Sequence, residues 1–424
     1  MTIEALHTLF LETPKACTDT RKIEGPCIFF ALKGDNFNGN KFALSALEKG
    51  AAYAVVDEPE IARDRRFILV PDALKALQDL ALFHRNYFGT KVLALTGSNG
   101  KTTTKELIHA VLNKKYNTIA TQGNLNNHIG VPLTLLTISE ETEIAVVEMG
   151  ANHQREIAFL CTLAEPDFGY ITNYGKAHLE GFGGIEGVIK GKSEMYDNLI
   201  SRGKFVFFNA DDPIQSRKLE DYPDKVGYSQ KDKNQILIDF IGAQPHVKLR
   251  VDDTLINTQL IGQYNFGNCC AAILIGKYFE VTIGDIKTAI ENYLPMNNRS
   301  QFISRNGLEI VLDAYNANPS SMQVALENFD KMEGDHKIVF LGDMFELGDD
   351  AQIEHQQIAE LAASMKLEQI FLVGEHFFKT QSRGKKFKDF KGLSEYLKAH
   401  PIVKGSLLIK ASRGMALERI LDLL

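Results

Sequence analysis

The sequence predicts an α/β protein of three domains built on mostly parallel sheets. Short apolar runs alternate with helical stretches along most of the chain, the pattern of strands covered on both faces by crossover helices. That alternation changes character near Tyr87 and again at Pro295-Met296-Asn297-Asn298, dividing the chain into 1–88, 89–297 and 298–424. With 424 residues, each division is long enough to bury a core of its own.

In the first division, 27–32, 52–56 and 67–70 read as short strands, with a helix over 42–49. The second opens with a buried strand over 91–95, a glycine turn, and a helix running through 105–112. Residues 144–148, 168–173 and 204–209 continue the strand series. Residues 185–199 read as a helix whose Lys190, Lys192 and Glu194 form an exposed charged face. The shorter alternating runs within 225–262 predict an antiparallel appendage, after which a helix over 267–278 returns to the core. In the third division, strands at 309–313, 337–341, 369–373 and 406–410 with helices between them predict a second doubly wound unit.

Composition excludes several function classes. A net charge of −7 with 44% hydrophobic and 24% charged residues argues against a general nucleic-acid or membrane-surface binder. The short Lys385-Lys386-Phe387-Lys388 cluster reads as a solvated face. Five cysteines (Cys17, Cys27, Cys161, Cys269, Cys270) include no C-x-x-C pair and read as free thiols. No apolar run approaches the roughly 18 residues of a membrane span, and the N-terminus lacks a secretory pattern. The expectation is a cytoplasmic protein.

The chemistry concentrates in Thr96-Gly97-Ser98-Asn99-Gly100-Lys101-Thr102-Thr103-Thr104. A strand, a glycine turn and a helix N-terminus make a phosphate cradle of backbone N–H groups aided by the helix dipole. Lys101 adds a point charge, and Thr102 places a hydroxyl for Mg2+. The spacing is contracted, because Leu95 stands where the first glycine of G-x-x-x-x-G-K-[ST] belongs. Glu148, at a strand tip beside this loop, is a candidate Mg2+ ligand. His178, in a glycine-rich loop, is as readily structural as functional from its type alone. Lys192 does not stand out from its neighbours by spacing.

Further blocks surround this loop. They include Asp19-Thr20-Arg21, Asn124-Leu125-Asn126-Asn127, Glu148-Met149-Gly150-Ala151-Asn152-His153 and Ala177-His178-Leu179-Glu180-Gly181-Phe182. Lys190-Gly191-Lys192-Ser193-Glu194, Gly262-Gln263-Tyr264-Asn265, Asp313-Ala314-Tyr315-Asn316-Ala317-Asn318-Pro319 and Gly342-Asp343-Met344-Phe345-Glu346 follow in order. Over nearly its whole length the chain resembles the Mur ligases, most closely the branch that acts last among the cytoplasmic amide-forming steps of peptidoglycan precursor synthesis. The resemblance implies a central P-loop ATPase-type sheet, flanked by a small N-terminal UDP-sugar-binding α/β domain and a C-terminal Rossmann-like domain. It implies ATP-dependent joining of D-Ala-D-Ala to UDP-N-acetylmuramoyl-tripeptide through an acyl phosphate, and a monomer.

The roles it implies are these. Thr96, Gly97, Ser98, Asn99, Gly100, Lys101, Thr102 and Thr103 hold the nucleotide, with Asn268 on adenine and Arg299 and Asp313 on phosphates and ribose. Thr102, Glu148, His178 and a CO2-carbamylated Lys192 hold two Mg2+ ions, so Lys101, Lys192 and His178 are the catalytic set. Thr20 and Arg21 hold the UDP-sugar, Asn124, Asn126 and Asn127 line the peptide cleft, and Asn316, Asn318 and Ser320 face the dipeptide. Tyr264 replaces a histidine common in its block. His355 is a candidate base for the attacking amine. Two related readings stay open here: a sibling ligase adding the third stem-peptide residue, and a folylpolyglutamate synthase. From another class, a nucleotide-dependent switch leaves Glu148, His178 and Lys192 unexplained as a set.

Overall fold

The computed structural model describes residues 1–296 and 298–424, so Asn297 at the second predicted boundary lies outside the described residues. Three sheets carry the fold. The first has four parallel strands in the order Ala16–Cys17, Ile28–Phe30, Tyr53–Val56 and Phe67–Leu69. Helices Ile3–Glu12 and Ala73–Phe88, which the sequence reading left out, pack on each other.

The second sheet has nine strands. Its core is parallel: Lys91–Thr96 lies between Ile144–Glu148 and Phe168–Ile171. The chain leaves Lys91–Thr96, passes to the edge strand Thr118–Ala120, and returns on both sides of its starting strand. The strand order therefore reverses at the tip of Lys91–Thr96, which opens a crevice there.

Residues 225–262 are not a separate appendage. Lys225–Ser229 pairs parallel with Phe205–Asn209, and Ile236–Ala243 continues parallel from it. Only His246–Val251 and Thr254–Ile261 turn antiparallel. Their inward residues Ile238, Val247, Leu249, Val251 and Ile256 are fully buried beside helix Asn265–Tyr278. Alternation marked a half-buried sheet correctly but does not fix strand direction.

The third sheet has six strands, parallel except for the edge strand Gln301–Arg305, which hairpins onto Leu308–Asp313. The lysine cluster is not a plain solvated face: Lys385–Phe387 is the opposite edge strand. Lys386 Nζ donates to the Thr380 carbonyl at 2.5 Å, and Lys385 lies over the rings of Phe371 and Tyr396. Lysines on an exposed edge keep it from pairing with other chains. All five cysteines are buried and free. Among the described residues no helix is long and apolar enough to cross a membrane.

Candidate active site

A cavity of about 910 Å3 opens at the tip of Lys91–Thr96. Its floor is the glycine turn. Gly97 sits at φ 141°, and a Cβ there would meet Thr172 Oγ1 at 2.0 Å; Gly100, at φ 78°, would drive one into Asn268 Oδ1 at 2.4 Å. Both positions thus require glycine. Leu95 is fully buried and paired in the sheet with Glu148 and Tyr170, so the strand runs on where a longer loop would already have turned.

Thr102 lies in the first turn of the helix Lys101–Leu112, and its Oγ1 donates to Glu148 Oε2 at 3.0 Å. Asn126 Nδ2 donates to Glu148 Oε1 at 2.8 Å. Glu148 is 2% exposed, yet its side-chain hydrogen bonds come from neutral donors. A carboxylate buried among neutral donors is a site that an incoming cation would stabilise. Lys101 folds back, donating to the Gly97 carbonyl at 2.7 Å. Burial holds its pKa below the usual lysine value, against the pull of Glu148 and with Arg299 adding to the lowering.

Lys192 is the largest departure from the sequence reading, which put it on an exposed face; it is 0% exposed. Gly187 and Gly191 let the helix Ile185–Ser201 sit against Phe182, where added Cβ atoms would clash at 1.8 and 2.4 Å. Lys192 Nζ donates to the Ala151 carbonyl at 2.9 Å and lies 4.8 Å from the Phe182 ring centre, one layer behind the cavity wall. Burial, and then the charge of Lys101, push its pKa well below the ordinary value. Among the described residues there is no preformed cluster of three His, Cys, Asp or Glu. At the cavity wall Thr102 and Glu148 nevertheless offer oxygens and His178 a ring nitrogen, donors that suit a divalent cation once a polyphosphate supplies further oxygens.

The opposite wall comes from the third sheet. His178 lines the cavity, and its Nδ1 contacts Glu346 Oε2 across the junction. That hydrogen bond holds the Glu346 carboxyl below its usual pKa. Asn318 caps helix Pro319–Lys331 through Ser321 N and also donates from Nδ2 to Asn99 Oδ1 of the turn at 2.8 Å. Ser320 Oγ accepts from Lys176 N at 2.8 Å, while Lys176 Nζ reaches Glu354 Oε1 at 2.6 Å. Arg299 stacks 3.6 Å from the Tyr315 ring.

Of the residues singled out in the sequence, Ser98 to Thr102, Glu148, His178, Arg299, Asn124, Asn126, Asn127, Asn316 and Asn318 line the cavity. Thr96, Gly97 and Thr103 are not among the lining residues. Asn268 lies under Gly100, accepting from Thr104 Oγ1 at 2.9 Å. Asp313 pairs with Lys410 and accepts from Ser300 N. Ser320 packs beside Gly175. Thr20 and Arg21 lie outside the cavity in the first domain, with Arg21 paired to Asp19. Tyr264 reaches Ser300 Oγ at 2.6 Å, bridging toward the third domain.

His355 does not serve as a base. It is fully buried, Nδ1 donates to the Ala351 carbonyl at 2.6 Å, and Nε2 accepts from Met344 N at 3.0 Å. Both ring nitrogens are committed to shaping the 343–345 turn. The sequence reading did not single out Tyr315, Phe345, Glu346, Ser412 and Arg413 as lining residues; they come from loops that only the third sheet gathers.

Models of the Mur ligase family catalytic domain, the Mur ligase middle domain and the Mur ligase glutamate ligase domain match residues 17–85, 95–276 and 298–411. The UDP-N-acetylmuramoyl-tripeptide–D-alanyl-D-alanine ligase of Bacillus subtilis is 36% identical over 95% of this chain and 91% of its own length. Its counterpart in Escherichia coli is 34% identical over 95% and 92%. MurF from Acinetobacter baumannii has a similar structure, with a TM-score of 0.85 at 30% identity over 96% of this chain and 93% of that one. MurF ligase from Thermotoga maritima, in complex with ADP, gives 0.84 at 26% identity over 97% of both.

Proposed function

The chain belongs to the Mur ligase family, and we propose that it joins D-alanyl-D-alanine to UDP-N-acetylmuramoyl-tripeptide with cleavage of ATP. The observation that carries the reading is the two-sided cavity. A phosphate-binding turn forms one wall, the Asn316–Asn318 block forms the other, and Asn318 reaches the turn through Asn99. In the first step the tripeptide carboxylate attacks the γ-phosphate, releasing ADP and leaving an acyl phosphate. The dipeptide amine, arriving neutral, then attacks the acyl carbon through a tetrahedral species and expels phosphate.

Two anions meet in the first step, so neutralising charge is the main requirement. The N–H groups of the 97–102 turn and Lys101 hold the β- and γ-phosphates in line with the carboxylate. Two Mg2+ ions, when bound by Thr102, Glu148, His178 and a carbamylated Lys192, supply the remaining positive charge. Burial suits Lys192 to this role, because a neutral amine adds CO2 and releases one proton to become an anionic oxygen donor. The Asn124–Asn127 turn faces the peptide arm of the acceptor, and Thr20 and Arg21 lie in the domain assigned to its UDP-sugar. The protein acts as a cytoplasmic monomer whose third domain closes on the second when nucleotide binds.

The test is ADP release with Mg2+, ATP and UDP-N-acetylmuramoyl-tripeptide, with and without D-Ala-D-Ala. Strong stimulation by the dipeptide and none by single amino acids is expected. Turnover only on a dipeptide-stage acceptor with a free diamino acid would contradict the reading.

A further inference from the structure

The wall contributed by the third sheet carries a cation that the reaction as described leaves without work. Three lysine or arginine side chains line the cavity: Lys101, Arg299 and Arg413. Lys101 belongs to the phosphate turn. Arg299 sits close enough to Lys101 for its charge to depress the lysine's pKa, which places it at the phosphate end as well. Arg413 also lies near Tyr315, with its guanidinium carbon 5.6 Å from the ring centre against 3.6 Å for Arg299.

The substrates present a matching remainder. The nucleotide phosphates and the reacting carboxylate meet the turn, which leaves the terminal carboxylate of the dipeptide without a cation. The asparagines and serine assigned to the dipeptide are largely committed elsewhere: Asn318 caps a helix and holds Asn99, and Ser320 holds Lys176 N.

We propose that Arg413 binds the terminal carboxylate of the incoming dipeptide and so sets the preference for a free dipeptide acid. The inference rests on the ligase reading above. Arg413 stands on a pinned turn just past strand Gly405–Lys410. Ser412 N donates to the Asp343 carbonyl at 3.3 Å, Ser412 Oγ accepts from Phe345 N at 3.1 Å, and Met415 N donates to the Ser412 carbonyl at 3.0 Å. Glu418 Oε1 lies 3.3 Å from Nη1 and orients the guanidinium. A guanidinium has five N–H donors in a fork, so its remaining edge is free to take a carboxylate in two parallel bonds. Beside it, Ala317, Phe345 and Gly414 line the cavity with small or apolar groups. The Phe345 ring comes within 2.9 Å of where a Gly414 side chain would start, so only glycine leaves that ring in place. A charged fork next to a shallow apolar surface fits a short peptide with two methyl side chains and one terminal carboxylate.

The experiment compares D-Ala-D-Ala with its C-terminal amide on the wild type, Arg413→Ala and Arg413→Lys, with KM measured for all three substrates. The wild type should prefer the acid by about 10- to 100-fold, the range of one charge-assisted pair. Arg413→Ala should bring acid and amide to near parity and raise the dipeptide KM by a similar factor, leaving the KM of ATP and of the tripeptide unchanged. Arg413→Lys, which keeps the charge and loses the fork, should retain part of the preference and covers the case in which the alanine variant misfolds. Full acid preference in a folded Arg413→Ala would overturn the inference, as would a wild type indifferent to amidation. A defect in ATP KM alone would move Arg413 to the phosphates. A wild type inert to every dipeptide would instead overturn the ligase reading.

Discussion

The central domain meets its two neighbours through junctions of opposite character. On the N-terminal side, helix Ala73–Phe88 packs on Gly130–Leu135 and Glu156–Ala164, and Leu77, Leu80 and Ala81 share one core with Val131, Leu135 and Leu160. The polar groups there are tied down: Gln78 donates to the His128 carbonyl at 3.0 Å, and Arg85 pairs with Asp167 at 2.7 Å. On the C-terminal side Met322, Leu326 and Leu347 belong to the same apolar cluster, but around the cavity the link runs through polar pairs, Asn99–Asn318, Lys176–Glu354 and His178–Glu346. Apolar burial fixes one geometry, whereas polar pairs exchange with water at little net cost. The proposed closure of the third domain would then work at the second junction, with the first as its fixed support.

The sharpest division is between chemistry and stability. Lys101→Ala or Glu148→Gln, at the floor of the polar junction, should lower kcat/KM by about 10²- to 10³-fold while the melting temperature stays nearly unchanged. Leu80→Ala, in the apolar junction, should do the reverse. It should cost about 2–4 kcal/mol in urea unfolding with activity per folded molecule preserved. Equal losses of activity and stability in both variants would erase the distinction.

Smaller effects sharpen it. Glu354 is 7% exposed, and Lys176 reaches it from the facing domain. Glu354→Gln should lower kcat/KM by about 10-fold, and the swap Lys176→Glu with Glu354→Lys should recover most of it. Failure of the swap to recover would show that charge pairing is not what holds this contact. The smallest effect is a pH slope at the apolar junction. Burial lowers the pKa of His84, whose ring bonds the Ile138 carbonyl at 2.7 Å and His7 at 3.0 Å. The unfolded chain then binds a proton that the folded one resists, so stability is complete above the unfolded value of about 6.5 and declines as pH falls below it. His84→Asn should flatten the dependence of unfolding free energy on pH below that point. An unchanged slope would remove His84 from the account.

The phosphate turn was legible because its determinants are local: a strand, two glycines with enforced backbone angles, and a helix start within ten residues. Lys192 was not. Its burial depends on Gly187 and Gly191 seating a charged helix on Phe182, a tertiary fact written only as two small residues among lysines and glutamates. His355 misled for the complementary reason, since a histidine after a conspicuous block was serving the fold of that block. The cavity wall at Tyr315, Phe345 and Arg413 combines three loops spread over about a hundred residues of sequence, and no spacing rule joins them. Strand direction over 225–243 was likewise set by the neighbouring strand, not by the alternation within it.

The direct test of this account is small-angle scattering of the wild type alone, with a non-hydrolysable ATP analogue, and with the analogue plus UDP-N-acetylmuramoyl-tripeptide. Stepwise compaction is expected as the analogue and then the acceptor bind, with Glu354→Gln needing more nucleotide to reach the same compaction. Scattering curves that superpose in all three states would contradict an opening polar junction.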